Sequence, residues 1–251
     1  MISRDQEIDA AVKRANVAPL PKRFYKAAAA IAHANGFAVL LDGKSVKTPG
    51  KAALVAPRRD IAEAMADEWS AQGEFIDPKL MPLTRLVNSA IDGVAGKEAE
   101  VAADAAKFAG SDLLCYRAEF PEALVALQEK HWNPVLTWAA ATFGVVFKTS
   151  VGVVHVAQPA ETVPKITAAL AGLRSFELAG AHSMTTLMGS VLLALAVQRG
   201  KLDASAAWTT AHVDEDFQIS QWGEDDEAMI RRAARWLEMQ AAAQMLLLGR
   251  A

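Results

Sequence analysis

The residues that could hold a metal are spaced against it. The five histidines stand at positions 33, 131, 155, 182 and 212, and no His-x-His, HExxH or cysteine-rich group occurs among them. A metal site would have to be assembled from distant segments, and no metal or cofactor is expected. Nucleotide binding lacks its usual motifs, because there is no GxxxxGKS/T loop and no Gly-x-Gly-x-x-Gly after a strand. Gly36, Gly43 and Gly50 are seven residues apart and serve turns. There is no Gly-x-Ser-x-Gly elbow. The single cysteine, Cys115, could pair with His131 as a nucleophile, but nothing electropositive surrounds it in Leu113-Leu114-Cys115-Tyr116, and a buried structural thiol is the better reading. His212 and Asp216, four apart on a predicted helix face, read as solvated neighbours.

Protein-binding chemistry has more to work with. Asp214, Glu215, Asp216, Glu224, Asp225, Asp226 and Glu227 fall within 14 positions that hold no lysine or arginine. Such a run is ordinarily a solvated face, and Glu224 to Glu227 also suit a helix start, where carboxylates meet the positive end of the dipole. Its sharper reading is an acidic docking patch. Basic residues gather elsewhere, at Lys13, Arg14, Lys22, Arg23 and Lys26, so the charge is polarised along the chain as a steered binding surface requires. The six tryptophans, at 69, 132, 138, 208, 222 and 236, all lie on predicted helices, and each N–H needs a partner when buried. Most belong in the core; Trp69, with polar neighbours, reads as a half-buried helix anchor on a sheet.

Those residues must be carried by two kinds of element. Ser3 and Gln6 form a capping-box pattern for a short amphipathic helix to about Asn16, ended by Pro19 and Pro21. From Phe24 to Val55 the turns Asn35-Gly36, Asp42-Gly43 and Pro49-Gly50 separate short runs, which is a β-meander. Phe37 to Leu41, Asp42-Gly43 and Lys44 to Thr48 predict a hairpin on a type I′ turn. Pro57 opens a helix with Ile61, Ala64, Met65, Glu68 and Trp69 on one face and Gly73 as its left-handed stop. Pro82 starts another, through Ile91. Gly93 and Gly96 bracket a boundary, giving an amino-terminal unit over 1–93 and a helical unit over 94–251. The latter's helices are expected at Lys97 to Ala109, Pro121 to Phe143 with a kink near Pro134, Pro164 to Leu173, Glu177 to Arg199, Ala204 to Trp222 and Asp225 to Leu248, with one extended stretch from Val145 to Val156. The expected fold class is α+β, a small β-containing domain packed on a larger, mainly α-helical one.

Composition fits. The 251 residues are 52% hydrophobic and 22% charged, with aromatics at 7%, which favours closely packed helices and needs no disulfide or metal for stability. A net charge of −3 does not supply the concentrated basic surface that a nucleic-acid binder uses. The apolar run Met184 to Val197 is too short to span a bilayer and carries Thr185, Thr186 and Ser190, so a buried helix is expected and no membrane insertion. The amino terminus resembles neither a secretory signal nor an acid-poor transit peptide, so a reduced, cytoplasmic setting is expected.

Several ordered motifs then carry a resemblance. They are Lys22-Arg23-Phe24-Tyr25; Leu41-Asp42-Gly43-Lys44 with Lys47-Thr48-Pro49; Glu68-Trp69-x-x-Gln72; and Met81-Pro82-Leu83-Thr84-Arg85-Leu86-x-Asn88-x-Ala90-Ile91-Asp92. They continue in Asp112 to Ala118, Gln128 through Trp132-x-Pro134, Asp214-Glu215-x-Phe217-Gln218 and Trp222-Gly223. In these the chain resembles the F1 ATPase assembly chaperones that attend the alpha subunit, in a bacterial form. The resemblance implies a two-part fold and no catalytic activity. It also implies a protein that holds free alpha subunit, preventing its aggregation, until the beta subunit replaces it. Trp69 matches the family's Glu-Trp motif and Glu215 an acidic position associated with chaperone action; with Asp214, Asp216, Gln218 and Trp222 they are the expected partner-binding residues. Two other readings compete. One is a small-molecule enzyme with a carboxylate-lined cleft between the two parts, using Asp42, Asp92 and Glu215 as acid or base, which would require polar groups converging in an apolar pocket. The other is a constitutive structural subunit. The oligomeric state stays open, a monomer included.

Overall fold

The computed structural model describes residues 19–249, so the expected first helix, with Lys13 and Arg14, lies outside the described residues. The meander forms as an antiparallel sheet of four strands: β1 (Ala28–His33), β2 (Gly36–Leu41), β3 (Lys44–Ser45) and β4 (Val55–Ala56). β1 pairs with one side of β2 from Ala28↔Leu41 to His33↔Gly36, while β3 and β4 share the other side. Asp42 and Gly43 both have positive φ, 47° and 79°, which is the geometry the type I′ turn demands. Asp42 also accepts the N–H groups of Lys26 and Ala27 at 2.9 to 3.1 Å, tying the approach to β1 onto the turn.

Helix α1 (Arg59–Ser70) buries Ile61, Ala62, Met65 and Ala66 against this sheet. It does not end on a left-handed Gly73. The chain leaves the helix at Ala71 in right-handed geometry, and the Gln72 side chain supplies the stop, donating to the Glu68 carbonyl at 3.1 Å and accepting from Asp77 N–H at 2.7 Å. Helix α2 (Pro82–Ser89) has proline in its first turn, as expected, and runs into a π-helical turn at Ala90–Val94.

The remaining chain is helical: α3 (Glu98–Lys107), α4 (Glu122–Phe143), α5 (Thr162–Leu170), α6 (Ser175–Met188), α7 (Val191–Gln198), α8 (Ala204–Ala211), α9 (Val213–Trp222) and α10 (Asp226–Leu246). The expected extended stretch contributes β6 (Ser150–Val151), paired in parallel with β5 (Tyr116–Arg117). Two helices expected as continuous are broken. Glu177 to Arg199 divides where Gly189 adopts φ 65° and Ser190 caps the next helix, its Oγ accepting Leu193 N–H at 3.1 Å. Ala204 to Trp222 divides at His212, whose Nδ1 lies 2.7 Å from the Trp208 carbonyl in the last turn of α8 and whose side chain makes no cap for α9. Helix α4 continues through Pro134, which forfeits one backbone bond to the preceding turn, and ends on left-handed Gly144.

One core joins both regions. Residues 191–197 of α7 are all buried, and α2 packs on α10 and α6. Each buried Leu or Val there contributes about 1.5–3 kcal/mol. Trp132 is fully buried with its Nε1–H donating to the Thr210 carbonyl at 2.7 Å. Among the described residues no helix is long and apolar enough to cross a membrane.

Candidate functional site

The acidic run of the sequence becomes a corner between two helices. Asp214, Glu215 and Asp216 form the first turn of α9, where the helix dipole favours them, and Asp225 caps α10 by accepting Ala228 N–H at 2.7 Å. Glu215, Gln218 and Trp222 recur at spacings of three and four, so they line one side of α9. With Ile219, Asp225, Met229 and Arg232 they enclose a cavity of about 280 Å³. Trp222 is 79% exposed, an indole left in water with an apolar hollow beside it.

The other acidic residues fix the corner. Asp214 accepts from Gln128 Nε2 at 2.7 Å, and the same buried Gln128 accepts Ala118 N–H at 2.8 Å. Asp216 pairs with Arg232 across to α10. His212, expected on the surface beside Asp216, is buried instead. Its Nδ1 lies 2.7 Å from the Trp208 carbonyl and its ring 3.8 Å from that of Trp208, with Glu215 Oε2 3.8 Å from Nε2. Burial lowers its pKa, the Trp208 carbonyl and Glu215 opposing. Five of the six tryptophans are at least half-buried, leaving Trp222 as the exposed one.

Trp69 stands apart, on α1, and does not meet the α9–α10 corner. It lines a separate cavity of about 430 Å³ with Phe24, Tyr25, Lys44 and Lys47, where Phe24 is 74% exposed. Its ring packs edge-on against Tyr25, centroids 5.6 Å apart, and its carbonyl accepts the Tyr25 hydroxyl at 2.7 Å. Its Nε1 is buried without a partner among the described residues. The neighbours in its motif are structural: Glu68 accepts the N–H groups of Leu83 and Thr84 at 2.7 and 2.8 Å, capping α2 with a carboxylate whose pKa burial raises.

One apolar feature of this end escaped the sequence reading. Ile230, Ala233, Ala234 and Leu237 form an exposed stripe along α10, with Ile230 at 70% and Leu237 at 48%. Their i, i+3, i+4, i+7 spacing is the signal that could have found them, had it been separated from the buried stripe that ends in Met239, Ala242 and Met245.

The carboxylates needed for an enzyme do not converge. Asp42 is held by backbone N–H groups, chiefly that of Ala27 and then Lys26, which lower its pKa. Asp92 accepts Thr48 Oγ1 and Gly50 N–H, both at 2.7 Å, and Glu215 stands at the far corner. The cleft between the sheet region and the helices, about 460 Å³, is lined by Arg85 and Glu238, already paired with each other. Cys115 is buried, its thiol pushed up to about 12 by that burial and then by Asp112, and is inert as a nucleophile. At the α9–α10 corner an exposed indole therefore stands beside a cavity rimmed by Glu215, Asp225 and Arg232.

Comparison with known proteins gives the family. Residues 22–140 match the family model described as ATP12 chaperone protein. The crystal structure of Atp12 from Paracoccus denitrificans is 41% identical, with a TM-score of 0.80 over 92% of this chain and 99% of that one. The crystal structure of the Agrobacterium tumefaciens protein Atu1473 is 46% identical, with a TM-score of 0.83 over 97% of this chain and 91% of that one. Mitochondrial Atp12 of Schizosaccharomyces pombe is 24% identical over 226 residues, 84% of this chain and 78% of its own. The chain belongs to the ATP12 chaperone family and is a chaperone of F1 ATPase assembly.

Proposed function

We propose that this protein binds the unassembled F1 alpha subunit in the cytoplasm and keeps it from aggregating until the beta subunit takes its place. A free subunit exposes apolar interface surface that would otherwise self-associate. Binding has to be strong enough to shield and weak enough to be displaced. A standard interface of roughly 1,600 Å² with one or two anchors and a charged rim has that character. In this reading Glu215, Gln218 and Trp222 touch the client, while Asp214 and Asp216 hold the α9–α10 corner through Gln128 and Arg232. The Trp69 cavity is a second contact. Trp222 carries the reading: an indole 79% exposed beside an apolar cavity is costly in water and typical of an interface anchor.

Light scattering of aggregation-prone alpha subunit tests it. The native protein suppresses turbidity, and Trp222→Ala weakens suppression by about 2 kcal/mol or more in binding, the usual loss for a central tryptophan. Glu215→Lys weakens it and makes the remainder less sensitive to salt. Unchanged turbidity with excess native protein overturns the client assignment, and a fully active Trp222→Ala overturns the site.

A further inference from the structure

Among the described residues, strand β1 is a sheet edge with no strand paired on its outer side. The Asp42 N–H donates to the Ala27 carbonyl at 3.0 Å, and the register runs on from Ala28↔Leu41. In an antiparallel ladder alternate residues bond the partner strand, so the odd-numbered residues of β1 face β2. The N–H and C=O groups of Ala28, Ala30 and Ala32 therefore point away from it, and none has a partner among the described residues. The strand, Ala-Ala-Ala-Ile-Ala-His, has no lysine, glutamate, proline or bulge along its six residues. Those are the devices by which proteins blunt an edge. The other side of β2 is guarded in the usual way, by two strands of only two residues each, one beginning with the exposed Lys44.

We infer that the open edge of β1 is a further docking surface, which takes an extended, uncharged segment of the client as an added antiparallel or parallel strand. The inference rests on the client reading above. Alanine at four of six positions keeps the strand low, and on its exposed face, that of Ala29 and Ile31, bulky β-branched side chains of the incoming strand can pack, the other face being covered at Ala28 and Ala30 by the core. Ile31, 41% exposed, offers the one large apolar contact. A second copy of this chain is the lesser candidate on area, because a single six-residue edge is a small part of the roughly 1,200–2,000 Å² that a stable dimer buries. A client already held at the α9–α10 corner needs no such area from the strand alone.

Two variants and one direct observation test this. Ala30→Pro removes an outward N–H and costs no bond to β2, whereas Ala29→Lys places a charge on the exposed face. Each is expected to keep the native far-ultraviolet circular dichroism and to bind alpha subunit about tenfold more weakly. Independently, hydrogen exchange on the native protein is expected to slow at the amides of Ala28, Ala30 and Ala32 when alpha subunit is added. Native-like affinity in both folded variants, or unchanged exchange at those amides in a complex that does form, overturns the inference and leaves the client assignment intact. No complex with the native protein overturns both. Protection of the same amides by concentration alone, with a dimer in sedimentation, overturns it in favour of a second copy.

Discussion

The Glu68-Trp69-x-x-Gln72 motif shows how a recognisable sequence can owe its residues to packing. Glu68 caps α2, Gln72 ends α1 and latches Asp77, and the Trp69 carbonyl holds the Tyr25 hydroxyl. A single sequence displays residue types and spacing, and Glu-Trp offers no means of telling an anchor in a partner from an anchor in a fold. The cap has a measurable consequence. Glu68→Ala leaves two N–H groups at a half-buried helix start without an acceptor, so stability falls by about 1–3 kcal/mol, read by urea denaturation. Glu68→Gln, which keeps one acceptor oxygen, loses less. The acidic corner was more legible: Glu215, Gln218 and Trp222 share a cavity as their spacing requires, because a helix periodicity survives whatever packs beneath it. His212 was not legible, since the Trp208 ring it lies on is itself packed by Trp236 and Arg235, which arrive from α10.

Elements were read well where local chemistry decides and poorly where contacts do. Asp42-Gly43 and Pro82 specify their turn and helix start alone. The break at Gly189 was hidden in an apolar run, because there helical periodicity continues across it while Asp112, from a distant segment, accepts Leu192 N–H at 3.2 Å and Leu114 N–H at 3.1 Å. A tight demand between two helices falls at Gly180 of α6. A β-carbon there would lie 2.6 Å from both the Ala242 carbonyl oxygen and the Leu246 nitrogen of α10. Both are backbone atoms, so the helices themselves would have to separate. Gly180→Ala is expected to cost about 3 kcal/mol, against the roughly 1 kcal/mol that an unhindered helical Gly→Ala would gain, and the thermal midpoint measures it. A gain in stability would mean that α6 and α10 can slide apart without loss of their shared core.

At the scale of the molecule, one buried acid and one buried imidazole give stability opposite slopes with pH. Asp112 is wholly enclosed, and burial pushes its carboxyl up to about 6 from 3.8 despite the N–H groups that bond it. Its contribution is therefore complete below pH 3.8 and is lost as pH rises towards 6, where the carboxylate ionises in place. His212 behaves the other way: burial lowers its pKa from 6.5, so its contribution is complete above that value and is lost as pH falls through the lowered one. Glu215 raises this pKa and so limits the loss; Arg232 and Arg235 add to it. The two windows meet near pH 6, where each masks the other in the native protein. Single variants separate them. The advantage of the native protein over His212→Gln shrinks as pH is lowered from 7.5 to 5. Its advantage over Asp112→Asn instead shrinks as pH is raised from 4 to 6, by up to about 3 kcal/mol for a shift of roughly two pKa units. Denaturant unfolding at matched ionic strength gives both differences, and parallel profiles for native and variant proteins across these ranges would show that neither group titrates in the folded molecule as its surroundings require.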